Sequence, residues 1–354
     1  MNKLVLRTIA SLLLLTSASQ AQVAGSRFLY RKPSAVSNAM GGVGVSLSDN
    51  AFGTYFNPAG LAFSKGLQLG SSIVKPVPFF GNVVQNYNSL SVNLDEIGAF
   101  GLSGNFYWRG EQARLHDDGT RTASIEENYF NYDAKLSYAY PVAENIAIGG
   151  SIGLLRQNLS ERGVGMQLNS GGVTSVLFDV GFFMKGIAED ATYADDDEAE
   201  AVGVPSYAGG RAERGITAGI ALLNAGPSIA FAQKSQADPA PALILAGVSY
   251  SPVRVREVGI LVAIEAEKRF GDEPVLDRKI TKGAIDYWHF GIEVSVFRML
   301  ALRGGKFEDA SGPKNSYWTW GIGIETKYAS FNVARYTYAL FPTWHFDGQF
   351  HWEF

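Results

Sequence analysis

Trp344-His345-Phe346-Asp347-Gly348-Gln349-Phe350-His351-Trp352-Glu353-Phe354 are the last residues of the chain. Trp344, Phe346, Phe350, Trp352 and Phe354 fall on one face of this stretch. His345, Asp347, Gln349, His351 and Glu353 fall on the other. A period of two, interrupted only at Gly348, is the pattern of a strand with one apolar and one polar face. The run is longer than the 5–6 residues of an average soluble strand. It matches the roughly 9–11 residues that a tilted strand needs to cross a bilayer.

The same alternation recurs upstream. Trp318, Trp320, Ile322 and Ile324 alternate with Thr319, Gly321, Gly323 and Glu325. Trp288, Phe290, Ile292, Val294 and Val296 alternate with His289, Gly291, Glu293 and Ser295. Val258, Ile260, Val262 and Ile264 alternate with polar or small residues, Leu261 being the exception. Phe130, Tyr132, Ala134, Leu136 and Tyr138 follow the same rule. Aromatic residues sit near the ends of these runs: Trp108, Tyr140, Trp288, Tyr328, Trp344 and Trp352. That is the girdle of a transmembrane barrel, and it disfavours a large soluble β-sandwich.

The pattern predicts an all-β fold, a transmembrane antiparallel barrel of about fourteen strands over residues 67–354. The expected strands are 67–74, 86–94, 98–108, 129–140, 146–160, 174–185, 215–225, 242–251, 256–270, 287–296, 300–307, 316–328, 330–339 and 344–354. If the last strand runs inward, the connections at 95–97, 141–145, 252–255, 297–299 and 329 are periplasmic and short. Those at 109–128, 226–241, 271–286 and 308–315 are then extracellular and longer, as in bacterial barrels. The connection 186–214 breaks the rule, being long and on the periplasmic side. It carries the acidic run Asp195-Asp196-Asp197-Glu198, which lacks the spacing of an EF-hand loop and reads as solvated.

Composition agrees. The 354 residues are 46% hydrophobic, 12% aromatic and 18% charged, with a mean hydropathy of +0.01. The apolar content excludes intrinsic disorder. No apolar run is long enough for a membrane helix. With no cysteine, disulfides, Cys-ligated metals and a Cys nucleophile are excluded. Lys3 and Arg7, the apolar stretch Ile9 to Leu15 and Ser19-Gln20-Ala21 predict a signal peptide over 1–21, cut after Ala21. Its loss makes the mature chain two charges more negative than the −4 of the whole. No basic stripe points to nucleic acid. A signal peptide followed by a barrel predicts the bacterial outer membrane.

Residues 22–66 differ from the rest. They are dense in small residues and turn formers: Gly41, Gly42 and Gly44, then Asn57-Pro58-Ala59-Gly60. They predict an N-terminal hatch packed inside the barrel, with Val43, Phe52, Phe56, Leu61 and Phe63 either lining a dry pocket or forming its core. Catalytic signals are weak. Gly149-Gly150-Ser151-Ile152-Gly153 matches G-x-S-x-G, but the strand continues where a nucleophile elbow needs a helix. His345 and His351 lie about 20 Å apart along the strand, and His116 and His289 add no ligand set. No metal site and no cofactor are expected. Glu265, Glu293, Glu325, Asp347 and Glu353 are expected to face the lumen. Trp352 and Phe354 are expected to form a barrel-assembly signal.

Ala39-Met40-Gly41-Gly42-Val43-Gly44, Asp49-Asn50-Ala51, Tyr55 to Ala62, Leu223-Asn224-Ala225-Gly226-Pro227, Asp238 to Pro241 and Ala301 to Gly305 carry a resemblance. The sequence resembles the PorV/PorQ family of outer-membrane proteins, relatives of the FadL long-chain fatty acid transporters. The resemblance implies a fourteen-stranded barrel with an N-terminal hatch. It also implies a non-enzymatic role in type IX secretion. There the barrel binds C-terminal signal domains of cargo leaving the translocon and shuttles them to surface attachment proteins. The FadL branch implies instead passive uptake of a hydrophobic ligand.

Overall fold

A computed structural model describes residues 26–76, 83–109, 129–158, 172–187, 215–229, 237–254, 257–270, 285–338 and 341–353. The signal-peptide expectation, His116, the acidic run 195–198 and Phe354 lie outside these residues.

Fourteen strands form one closed antiparallel ring in sequence order. They are β1 (Leu67–Val74), β2 (Val83–Asn93), β3 (Ala99–Arg109), β4 (Tyr129–Ala143), β5 (Ile146–Asn158), β6 (Gly172–Ile187) and β7 (Gly215–Ala225). They continue with β8 (Leu243–Arg254), β9 (Val258–Arg269), β10 (Tyr287–Val296), β11 (Leu300–Asp309), β12 (Tyr317–Glu325), β13 (Ala329–Tyr338) and β14 (Phe341–Trp352). Closure is made by β1 on β14, from Leu67 opposite Trp352 to Val74 opposite His345. A closed ring leaves no strand edge unpaired, which is the condition for a sheet in hydrocarbon.

The strand count and the alternation agree with the sequence reading. Trp344, Phe346, Phe350 and Trp352 are exposed on the outer wall, while His345, Asp347 and His351 are buried. Leu261 departs from its pattern because it faces inward, packed with Val36, Met40 and Val43. Expectations change at several points: β8 runs through Pro252 to Arg254, and Ala329 belongs to β13, the turn before it being 326–328. β4 runs through Pro141 to Ala143, its register shifting there, so the turn is shorter than foreseen. Glu353 follows the end of β14 and is exposed, so it does not face the lumen. Trp288 lies near the start of β10 on the outer face, as expected, half-buried beside an apolar groove of about 410 Å³ with Phe182, Ile220 and Ile264. The turns 94–98, 297–299 and 326–328 share one end of the barrel. By the rule for such barrels this end is periplasmic.

Residues 26–66 pack on inward-facing residues of strands all round the ring. They hold two short helices, α1 (Ala35–Ala39) and α2 (Gly53–Phe56), and a 3₁₀ turn, Pro58–Phe63. Nearly every residue of the segment is buried. Ser34 opens α1 by accepting a hydrogen bond from the Ser37 amide. Asn57 opens the 3₁₀ turn in the same way, with Pro58 at the first position where no amide hydrogen is needed.

Candidate functional site

The contact between this segment and the wall concentrates the polar chemistry of the described residues. Lys32 is its first anchor. Its ammonium donates to Glu265 Oε1 at 2.7 Å and to the Gly42 carbonyl at 2.6 Å. It lies 3.0 Å from Glu267 Oε2 and 3.2 Å from His289 Nε2. Glu265 and His289 face each other across β9 and β10. The other oxygen of Glu265 accepts from the amides of Gly44 and Val45, both at 2.7 Å. His289 Nδ1 is 2.7 Å from the Gly41 carbonyl. Glu267 also takes Arg269 Nε at 2.5 Å. All of Lys32, Glu265, Glu267 and His289 are buried. A buried charge is tolerated only when paired and hydrogen-bonded, and each of these is.

Glu265, Glu267 and His289 also present ligand atoms within 4.8 Å of one another, a set that could hold a metal ion. Sequence reasoning missed this set: Glu265 and Glu267 share the inward face of β9, and only the strand register brings His289 of β10 opposite Glu265. In this structure the Lys32 ammonium lies among them and supplies the positive charge itself.

A second network starts on β11. Arg303 donates to Glu293 at 2.5 Å, to Glu325 at 2.7 Å and to Asn332 at 2.8 Å. It reaches β13 by passing over Gly323, where a Cβ would stand 2.3 Å from the guanidinium. Asn332 donates to Asp347 at 2.7 Å. Asp347 in turn accepts from the Ala35 amide at 2.6 Å and from Ser34 Oγ at 3.1 Å. A chain of hydrogen bonds thus runs from β10 to α1. Next to it Asn38 Nδ2 lies 2.9 Å from His345 Nδ1. A third network is formed by Lys135 of β4, which crosses Gly153 to reach Asp179 of β6 at 2.7 Å and Asn224 of β7 at 2.7 Å.

The expected hatch residues are placed as follows. Gly41 and Gly42 have φ of +71° and +100°, which L side chains rarely adopt. The Gly41 amide donates to Thr319 Oγ1 at 2.9 Å. A Cβ on Gly42 would stand 2.7 Å from His289 Nδ1, and one on Gly44 2.1 Å from the Phe56 ring. A Cβ on Gly60 would stand 2.4 Å from the Ser48 carbonyl oxygen. Asn57 accepts from the Ala59 amide at 3.1 Å and donates to the Phe182 carbonyl of β6 at 3.0 Å. Ala59 lies against Gly149 of β5, and Pro58 with it.

The wall answers with glycines that sequence reasoning missed. A Cβ on Gly181 would fall 1.9 Å from Asn57 Oδ1, and one on Gly305 2.1 Å from the Gly41 amide. Gly149, read as part of an empty catalytic motif, belongs to this contact. Val43, Phe52, Phe56 and Leu61 are fully packed, and Phe63 lies 5.9 Å from the Phe183 ring. The first four are core, and Phe63 is half-buried against the cluster of Leu61, Ala99 and Ala139. Trp352 is exposed beside Tyr328, ring centroids 6.4 Å apart.

Comparisons with known proteins agree with this architecture. No curated protein matches the sequence. The toluene transporter TbuX of Ralstonia pickettii superposes over 90% of this chain and 98% of its own, with a TM-score of 0.51 at 12% identity. The monoaromatic hydrocarbon channel CymD covers 91% of this chain and 98% of its own, with a TM-score of 0.53 at 12% identity. A FadL homologue of Pseudomonas aeruginosa aligns over 93% and 99%, with a TM-score of 0.47 at 12% identity. At such identities TbuX and CymD establish the fold alone, a closed barrel like the one described above. The family described as type IX secretion system protein PorV matches residues 16–274. That span includes the Gly41 and Asn57 motifs but not Ala301 to Gly305. The match covers well over half of the chain, and the chain therefore belongs to the PorV family of type IX secretion outer-membrane proteins.

Proposed function

We propose that this barrel binds C-terminal signal domains of secreted cargo at its extracellular rim and shuttles them from the translocon to the surface attachment proteins, without catalysing a reaction. The observation that carries this reading is the segment 26–66, seated on inward-facing residues through Lys32, Asp347 and Asn57. With that segment as a hatch, a folded or extended cargo has no route through the lumen. Its partners then dock on the outside of the barrel. β4, β5 and β6 have 15, 13 and 16 residues, more than the roughly 9–11 that a crossing needs. They leave part of the sheet outside the bilayer as a docking surface.

The second reading is passive transport of a hydrophobic molecule, as in the toluene transporter TbuX and the monoaromatic hydrocarbon channel CymD. A conduit of that kind needs a mostly apolar lining. Here the junction of segment and wall is charged at Lys32, Glu265, Glu267 and Arg269, and Val43, Phe52, Phe56 and Leu61 are buried in its core. The test is affinity purification of the tagged protein from native membranes in mild detergent, with mass spectrometry of what accompanies it. Co-purifying secretion components and cargo are expected. Bound lipid or fatty acid with neither of these would favour the transport reading.

A further inference from the structure

The outer wall is apolar, as lipid contact demands, yet Arg335 of β13 stands on it. Its guanidinium lies 5.0 Å from the centroid of Trp344. Its register neighbours are Trp344 on β14 and Trp320 on β12, and these two rings meet edge to face at 5.6 Å. Among the described residues Arg335 has no carboxylate partner. It is three residues from the extracellular end of β13.

One row nearer that rim, Lys306 of β11 lies 5.9 Å from the Trp318 centroid. Trp318 is 75% exposed. Lys306 pairs with Glu308 at 2.7 Å in an exposed contact, a kind of pair that contributes little and exchanges readily. Beside Trp318 the β11–β12 hairpin opens a cavity of about 330 Å³ walled by Asp309, Ser316 and Tyr317.

A lipid-facing cation is costly at the bilayer midplane and cheap at the interface, where it reaches headgroups. Arginine offers a planar fork that matches phosphate. Arg335 and Lys306 are two strands apart, about 10 Å laterally, too far to share one phosphate in a compact headgroup. We propose that the outer face of β11–β14 binds a phosphorylated glycolipid of the outer leaflet. One phosphate is held by Arg335 and a second by Lys306, a sugar lies on Trp318 at the hairpin cavity, and acyl chains run along Trp320 and Trp344.

The test is native mass spectrometry of the mature protein in detergent, titrated with diphosphoryl lipid A, with phosphatidylglycerol and with free glucosamine phosphate. Diphosphoryl lipid A is expected to be retained about tenfold more tightly than phosphatidylglycerol, and Arg335→Gln to lower that retention about tenfold, as for a lost charged hydrogen bond. Lys306→Gln, at the solvent-facing rim, is expected to weaken it in the same direction. Both side chains face away from the lumen, so heat-modifiable gel mobility should stay unchanged. Equal retention of the two lipids overturns the proposal, as does wild-type retention in both variants. Competition by free glucosamine phosphate as effective as by the lipid would make a soluble sugar phosphate the ligand, which also overturns it.

Discussion

Lys32 brings a positive charge into the barrel, and Glu265, Glu267 and His289 make it tolerable. Removing one partner of a buried ionic cluster leaves the others uncompensated, at about 3–5 kcal/mol. Lys32→Met is therefore expected to loosen the N-terminal segment, read as faster proteolysis within 26–66 of the folded protein. Cleavage as slow as in the wild type would mean that Lys32 does not hold the segment. Gly42→Val meets two obstacles, the +100° φ and a Cβ 2.7 Å from His289. Overpacking of this kind costs about 1–3 kcal/mol, so the same assay should register a smaller loosening than for Lys32→Met. The two ends of these contacts were unequally legible. Gly42 and Asn57 stand out because turn chemistry is local: a positive φ favours Gly, and Asn before Pro caps a turn. Lys32 was invisible because Glu265 lies 233 residues away on β9, and nothing in a single sequence announces such a pairing.

Strands were the most legible elements, since side-chain direction alternates strictly along them and lipid enforces the apolar half. The wall glycines were not. Gly181 and Gly305 look like weak points of a strand in the sequence, and only the register places them against Asn57 and Gly41. Gly153 is a third kind. It leaves the path by which Lys135 crosses β5, a Cβ there standing 2.8 Å from the lysine Cγ. Gly153→Val should push Lys135 off Asp179 and lower the unfolding temperature, while Gly150→Val, whose nearest neighbour is the Asp179 carbonyl oxygen at 3.2 Å, should have less effect. Equal shifts in the two variants would remove the lysine path as the cause. β14 closes the ring on β1, so its end bears on assembly. Deleting Phe354 should lower the fraction of heat-modifiable, folded barrel in the outer membrane. Normal accumulation of the truncated protein would remove Phe354 from the assembly signal.

At the scale of the molecule, the ring and the segment inside it have different tasks. The ring is held by backbone hydrogen bonds through all fourteen pairings, none of which passes through residues 26–66. The segment is held by side chains: Lys32 and Glu265 on one side, Asp347 and Arg303 on another, and Asn57 on a third. Loosening it therefore should not unfold the barrel. This separates the two functional readings in one experiment. If residues 26–66 seal the lumen as proposed, leakage of a small polar solute from vesicles reconstituted with Lys32→Met should rise above the wild-type level. Under the secretion reading, binding of an isolated cargo signal domain to the same vesicles should change less than twofold, since its docking surface lies on the extracellular rim and outer wall. Under the transport reading, uptake of a hydrophobic solute should change with the leak, because both would use the path between segment and wall. A wild-type barrel that already conducts freely would show that residues 26–66 seal nothing, and cargo docking on the outside would then lose the observation that favours it.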